Sequence, residues 1–380
     1  MIKVIEVTNK KQLKQFVRFP TWLYRGSKLY VHPLEIDEFG LFSPKNPSWR
    51  DVETKMYLAT KDDKIVGRIA VLIHKLYNEK NNAKFARFTR FDVIDDRDVA
   101  FALLDTAVEF TRSRGMENIH GPLGFSDIDK EGLLVHGFDR MPTFVNPYNY
   151  AYYMKYLEEY GFTKEVDWLE FIIKAPEKMD ERVVRIANRM RERLGLTILS
   201  NKISVKQIIK KYGKQLFDLI NKCYVDLHGV IPITDEVGYS LLKQFKQILR
   251  REYVCLIVDS ADNLVGFGIT APNISRSLNK AKGRLFNFGF LPINALRIKL
   301  ESMRPKYIDL CLVAVLPEYQ GKGVPAIIIN DMFGNLVKKK VQFLESNLQL
   351  ENNKDVQNLF DGFEKEIVKK RRCYKFTLQK

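Results

Sequence analysis

Two stretches of this chain carry the same strand–turn–strand grammar. Residues 56–73, MYLATKDDKIVGRIAVLI, read as a β-strand, a polar turn at Asp62 and Asp63, and a second strand. Residues 253–270, YVCLIVDSADNLVGFGIT, repeat that order with the turn over Asp259 to Asn263. β-rich runs bracketing a short polar turn are the hairpin signal. Each second strand also holds a Val-Gly pair near its start, Val66-Gly67 and Val265-Gly266. The surroundings match too. A strand over 88–94 runs into DDRDVAFALLDTAVEFTRS, and a strand over 308–316 runs into PEYQGKGVPAIIINDMFGNLVKK, both with apolar residues at helical spacing. The pattern predicts an α/β fold with a mixed sheet, of α+β character, built as two tandem domains. The polar, Pro-containing stretch KAPEKMDERV separates them, giving expected domains over 1–177 and 178–380.

Composition narrows the class. Of 380 residues, 46% are hydrophobic and 28% charged, with 25 Phe and 17 Tyr, which supplies a core and excludes disorder or simple coiled coil. Cys223, Cys255, Cys311 and Cys373 lie far apart without a CxxC, so neither a zinc ribbon nor a disulfide scaffold is expected. No metal is expected either. Asp127-Ile128-Asp129 opens like a calcium loop, but its twelfth position is Phe138 where a bidentate Glu is required. The N-terminus turns polar too early for a signal peptide, and no apolar run nears the roughly 18–20 residues of a membrane span. The expected location is the cytoplasm, with peripheral contact on the inner face of the membrane as an option. The net charge of +16 suits nucleic acid, an anionic membrane or a polyphosphate ligand. Sequence-specific nucleic-acid binding is set aside, because no helix-turn-helix, zinc-finger or RNP-like motif is present. Composition leaves the oligomeric state open.

The chemistry-bearing segment is Gln320-Gly321-Lys322-Gly323, between an apolar strand and a helix. A Gly-rich turn at a helix N-terminus lets backbone N–H groups converge on an anion, with the helix dipole adding to the attraction. It lacks the Walker A spacing with its Lys-Ser/Thr pair, and it lacks the Rossmann GxGxxG. Strand, Gln-Gly-Lys-Gly and apolar helix in this order resemble the coenzyme-A-binding segment of the GNAT superfamily of acyl-CoA N-acyltransferases. The pattern there is Gln/Arg-x-x-Gly-x-Gly/Ala, with Gln320 and Gly323 in register. A strand over 341–348, a helix opening at Asn353 and a C-terminal strand over 372–378 continue the resemblance, which covers the chain from about Ser204 onward.

That resemblance implies an acyl-CoA co-substrate, an amine acceptor and a set of site residues. The donor-binding set is Leu312, Val313 and Val315 on the strand, then Gln320, Gly321, Lys322, Gly323, Val324 and Ala326 on the turn. Asn353 and Phe360 follow. The donor amide that polarises the thioester carbonyl falls between Leu312 and Val315, and Glu345 and His228 are candidate bases. A bulky acidic residue at Gly323 is expected to abolish coenzyme A binding and leave the fold intact. Two departures stand out. Pro325 replaces a Gly/Ala and removes one N–H, as a helix's first turn tolerates. Phe360 takes the place of the Tyr that often serves as general acid. The first half looks like a degenerate copy, with Asp95-Asp96-Arg97-Asp98 where the phosphate turn belongs, so no coenzyme A is expected there. Its stretch GPLGFSDIDKEGLLVHGFD, followed by PYNYAYY, is read as a substrate-shaping or structural loop. That stretch and the G-x-x-P-x-T-x-E loop resemble tandem GNAT-like bacterial proteins that include ceramide synthases, which implies a long-chain, sphingoid-type amine. The apolar segment 284–300 is expected to line an acyl tunnel, rest on a membrane, or form buried core. The alternatives are a short-chain acetyltransferase and a non-catalytic acyl-CoA or lipid binder of the same fold.

Overall fold

A computed structural model describes the chain except for residues 127, 201, 246–248, 287–290 and 380. The chain groups into two compact units that are not consecutive in sequence. The first comprises Met1–Leu169, Ile274–Lys299 and Val368–Lys380, and the second Glu170–Asn273 and Leu300–Ile367.

In the first unit, β1 (Ile2–Glu6), α1 (Lys10–Leu23) and α2 (Glu35–Leu41) precede the hairpin of β2 (Val52–Lys61) and β3 (Lys64–His74). Then come α3 (Lys75–Asn81), β4 (Phe85–Val93), α4 (Arg97–Ser113), β5 (Asn118–Gly121), β6 (Leu133–His136) and α5 (Tyr152–Tyr160). The chain continues through β7 (Thr163–Lys174), α6 (Glu181–Arg193), β8 (Thr197–Ile198), α7 (Val205–Tyr224) and α8 (Asp235–Phe245). The second hairpin is β9 (Val254–Val258) with β10 (Leu264–Pro272), followed by α9 (Ser275–Ala281) and α10 (Ile293–Met303). The remaining elements are β11 (Tyr307–Val315), α11 (Val324–Lys338), β12 (Phe343–Ser346), β13 (Gln349–Leu350), α12 (Lys354–Asn358) and β14 (Lys365–Thr377).

Both expected hairpins form. Asp62 and Asp63 take φ of 51° and 60°, the paired positive values of a type I′ hairpin turn. Asp259 closes the other turn, its Oδ1 accepting from the Ala261 and Asn263 N–H groups. The duplication extends to detail. Helices α1 and α7 both begin with a capping box, Asn9 with Gln12 and Ser204 with Gln207. In each unit the third strand runs antiparallel to the hairpin and the next runs parallel to it: β4 with β5, and β11 with β12. The repeated Val-Gly has a packing reason. A Cβ on Gly67 would come 2.8 Å from Leu103 Cδ1 of α4, and one on Gly266 would come 3.3 Å from Ile328 Cδ1 of α11. Both glycines let the following helix lie close on the sheet, over cores that include Val99, Leu103 and Leu104 in one unit and Ile327, Ile328 and Met332 in the other.

Some expected boundaries move. The strand expected over 341–348 is reduced to β12, with β13 beginning only after it, α12 has only five residues, and β14 starts well before residue 372.

Glycines of the 121–139 stretch are fixed by close approach. Gly137 has φ of +87°, and a Cβ there would run into the Val368 carbonyl oxygen, a backbone atom that cannot turn aside. Gly334, inside α11, has nothing within 4 Å of its Cβ position. Gly137→Ala should therefore lower unfolding stability by about 1–3 kcal/mol, whereas Gly334→Ala should raise it by about 0.5–1 kcal/mol through helix propensity. Urea denaturation of the two variants checks both signs.

Candidate acyl-CoA site

The two units treat the helix after their third strand differently. Four N–H groups at a helix start have no intrahelical partner and must be satisfied by a cap, water or a ligand. In the first unit Asp96 caps α4, its carboxylate accepting from the Asp98 and Val99 N–H groups. Lys61 also pairs with Asp96 at 2.7 Å, and these hydrogen bonds, that to Lys61 first, hold the carboxyl below its ordinary range. In the second unit Gly323 is the N-cap of α11, with φ of +82°, and no side chain caps the helix. Pro325 lies in the first turn, as expected. The turn exposes Gly321 and Lys322, while Gly323 and Ala326 are half-buried and Val324 is buried. Gln320 is anchored through its amide to the Val315 carbonyl at 2.9 Å, and the Lys322 ammonium lies 5.6 Å from the centre of the Tyr319 ring.

Strand β11 leads into this turn. It pairs in parallel with β12 from Tyr307↔Phe343 to Leu310↔Ser346 and not beyond. A bulge opposite Ile269 and Thr270 places Cys311 outside the regular ladder with β10. Asn347 follows the divergence, its N–H donating to the Leu310 carbonyl and its side-chain amide to the Cys311 carbonyl. Leu312 and Val313, half-buried, and Val315, buried, occupy the last stretch of β11.

The candidate bases take separate places. Glu345, 7% exposed, sits one residue before the end of the parallel pairing and opposite Asp309. Tyr307 and Phe343 stack on the same side with ring centroids 5.0 Å apart, so the Asp309 and Glu345 side chains share that face. Asp309 accepts from Asn273 at 2.7 Å. This second buried carboxylate was not singled out from the sequence, although its alternation along β11 places it. His228 is half-buried in the loop between α7 and α8.

Two further groups at β11 escaped sequence reasoning. The Tyr224 hydroxyl donates to the Val313 carbonyl at 2.8 Å, and the Cys223 thiol donates to the Val315 carbonyl at 3.1 Å. Burial keeps the Cys223 thiol protonated, raised above its ordinary value. The signal was present in Cys-Tyr at the end of α7, but only the fold brings that helix end to β11. Phe360 is fully buried with its ring 6.5 Å from Phe333, and Asn353 caps α12 through the Val356 N–H.

The segment 284–300 has residues 287–290 outside the described set. Over its described helix, α10, residues Ile293, Leu296, Leu300 and Met303 are each about half exposed. That part is neither buried core nor the lining of an enclosed tunnel. Asp127 of the calcium-like sequence also lies outside the described residues.

The chain has the fold of a tandem GNAT protein. A tandem GNAT protein from the clavulanic acid biosynthesis pathway superposes with a TM-score of 0.57, covering 99% of this chain and 98% of its own at 13% identity. A GCN5-related N-acetyltransferase from Sphaerobacter thermophilus gives a TM-score of 0.52 over 100% of this chain and 96% of its own, at 10% identity. By sequence, Protein YghO of Escherichia coli is 26% identical over 96% of this chain and 93% of its own length. A bacterial ceramide synthase of Caulobacter vibrioides is 27% identical over 81% of this chain and 79% of its own. No protein-family model matches the chain. None of the helices described is long and apolar enough to cross a membrane.

One sequence expectation about the Gly-rich turn needs revision. A side chain at Gly323 would meet both an unfavourable positive φ and the Met190 side chain of α6, so substitution there does not leave the fold untouched. Gly323→Ala should cost about 1–2 kcal/mol for the left-handed conformation alone. Adding Met190→Ala should relieve the crowding but not that conformational cost, which thermal unfolding of the single and double variants separates.

Proposed function

We propose that this protein is an acyl-CoA-dependent N-acyltransferase that binds its donor in the second unit and acylates a long-chain, sphingoid-type amine. The observation that carries the reading is the contrast between the two helix starts: α11 is uncapped behind a Gly-rich turn, whereas α4 is capped by Asp96. Pyrophosphate oxygens accepting from the Gly321, Gly323, Val324 and Ala326 N–H groups would satisfy the α11 donors, with Lys322 adding charge. Three carboxylates, Asp95, Asp96 and Asp98, crowd the corresponding place in the first unit, which we assign no coenzyme A. The distant likeness to a ceramide synthase supports the lipid acceptor. The half-exposed apolar residues of α10, beside Arg297 and Lys299, support a peripheral contact with an anionic membrane.

In the proposed reaction the amine nitrogen bonds to the thioester carbonyl carbon and the C–S bond breaks. One proton leaves the nitrogen and one reaches the sulfur. The open edge of β11 beyond Leu310 offers backbone N–H groups to the carbonyl oxygen as negative charge develops there. Glu345, with Asp309 beside it, is the assigned proton acceptor, and His228 is the alternative. Phe360 has no proton to give, and we assign the acid role to Tyr224, whose hydroxyl already lies on β11. The absence of a proton donor at Phe360 also favours a second reading, a binding protein of the same fold without turnover.

Thermal stabilisation by palmitoyl-CoA, acetyl-CoA and coenzyme A tests the donor site. A ligand at a hundred times its dissociation constant adds about 2.7 kcal/mol, and palmitoyl-CoA should give the largest shift. Equal shifts would favour a short acyl chain, and no shift with any of them would remove the site. If turnover is found, Tyr224→Phe should lower kcat by about 10²–10⁴-fold and leave coenzyme A affinity unchanged. An unchanged kcat would return proton delivery to solvent, and binding without turnover on any amine would establish the second reading.

A further inference from the structure

The 121–139 stretch and the PYN sequence are not accounted for by acyl transfer in the second unit. In the first unit they enclose a cavity of about 50 Å³ together with Tyr30, Glu38, Arg68 and Arg90. Gly124 has no room for a Cβ because the Asp129 carboxylate occupies that space, and Gly132 is held against Arg371. Asn149 ties the wall together, accepting from the Leu134 N–H and donating to the Leu134 carbonyl. Arg371 donates to the Pro147 carbonyl at 2.6 Å.

The charges around the cavity are almost all committed to one another. Arg90 sits at a bulge of β4 with φ of 50°, a strained value for a side-chain-bearing residue. It forms a two-point pair with Glu38 and bonds to both oxygens of Asp129. Arg68 pairs with Asp92 and donates to the Phe16 carbonyl, and Tyr24 donates to the other Asp92 oxygen. Apart from the Thr89 hydroxyl, which accepts from Arg90, two side-chain donors are left over. The Lys130 ammonium and the Tyr30 hydroxyl line the same cavity, and neither donates a hydrogen bond to another described residue. Tyr30 is only 5% exposed, stacked on Tyr24 at 3.9 Å.

We propose that this cavity binds the carboxylate of a small organic acid, with Lys130 and Tyr30 as the donors that hold it. Both uncommitted groups are donors, so the ligand must bring acceptors. At about 10–15 Å³ of such space per water, the cavity takes a few heavy atoms, which suits a planar two-oxygen head. Charge selects a monoanion. Glu38 and Asp92 line the cavity against Arg68, Arg90 and Lys130, so a carboxylate leaves the lining neutral and a phosphate dianion leaves one net negative charge. The site is in the first unit and does not depend on the acyl-transfer reading.

Burial lowers the Lys130 ammonium to about 8, Glu38 and Asp129 opposing the fall while Arg90 and Arg68 add to it. His32 also faces this charge, and burial first, then Lys130 and Lys282, lower it to about 4, so it is neutral across the working range. Only the protonated lysine holds an anion, so carboxylate affinity should be level below pH 8. Above it, affinity should fall about tenfold per pH unit as the ammonium is lost.

The test is titration of the full-length protein with acetate, acetamide and inorganic phosphate at matched ionic strength, followed by NMR of the lysine Cε signals. Lys130→Met identifies the signal. Acetate should shift it saturably, and acetamide and phosphate should bind at least tenfold more weakly. In Lys130→Met, acetate binding followed through the amide signals of the cavity wall should weaken at least tenfold, and in Tyr30→Phe severalfold. Unfolding midpoints of both variants check that the fold persists. Equal binding of acetate and acetamide, tighter binding of phosphate, retention of acetate affinity by a folded Lys130→Met variant, or no binding of acetate would each overturn the proposal.

Discussion

The parting of two parallel strands governs this molecule. In each unit a strand pairs with its parallel neighbour for a few residues and then leaves it: β4 with β5 through Arg87↔His120, and β11 with β12 through Leu310↔Ser346. Past that point one edge of the longer strand has lost its ladder partner. Backbone N–H and C=O groups so exposed inside a protein must be satisfied by something, and what satisfies them decides what each unit can do. In the first unit the chain after β5 folds back at once, the Leu123 N–H donating to the Phe88 carbonyl. In the second, Asn347 covers the Leu310 and Cys311 carbonyls, and α7 reaches over to those of Val313 and Val315. The carbonyls of β11 are thus taken by protein groups at several successive places, a division that suits a strand whose N–H groups serve a ligand.

The bulges belong to the same constraint. A bulge re-aims side chains and raises local twist, and both units carry one on the strand whose partner leaves. In the second it falls at Cys311, a small side chain raised far above its ordinary thiol range by burial and by Asp309, and so uncharged. In the first it falls at Arg90, and the charge that enters the interior must be paired. Burial works against the Glu38 carboxylate, yet the Arg90 guanidinium, helped by Lys130 and Arg68, holds it down to about 2. The sign follows. A Glu depressed from 4.5 to about 2 contributes stability that is complete above pH 4.5 and is lost as pH falls towards 2. The first unit thus replaces an open strand edge with an ionic network, and acid dissolves that network at its carboxylates.

Much of this was legible in the sequence, for reasons that differ by residue. The hairpins could be read because alternation and turn chemistry are local: Asp62-Asp63 and Asp259 fix their own turns. The Gln320 to Gly323 turn stood out only through its context, an apolar strand before it and an apolar helix after it, since a short Gly-rich run alone is usually just a turn. The Asp96 cap could be read only as unwelcome negative charge, since nothing in the sequence says that the carboxylate turns back onto its own helix. Met190 against Gly323 was not legible, because a contact between α6 and α11 is a property of packing. Tyr224 was hidden for the same reason, and Asp309, although alternation places it on one face of β11, gains its meaning only from Glu345 across the ladder.

The cavity of the first unit marks the sharpest divergence between reading and structure. A stretch rich in Gly, Pro and Asp reads as a loop, and most such loops are solvent-exposed turns. Here Gly124 and Gly137 exist because a carboxylate and a backbone carbonyl occupy the space where side chains would be, and Asn149 stitches the far wall to Leu134. Sterically demanded glycines, a strained Arg90 and a set of charges paired except at Lys130 form an expensive arrangement, since each buried ion forfeits its hydration. A unit needed only to shape its neighbour would be built more cheaply from apolar residues of the same volume. The retention of five charged side chains around one small space is therefore better explained by a polar occupant than by packing.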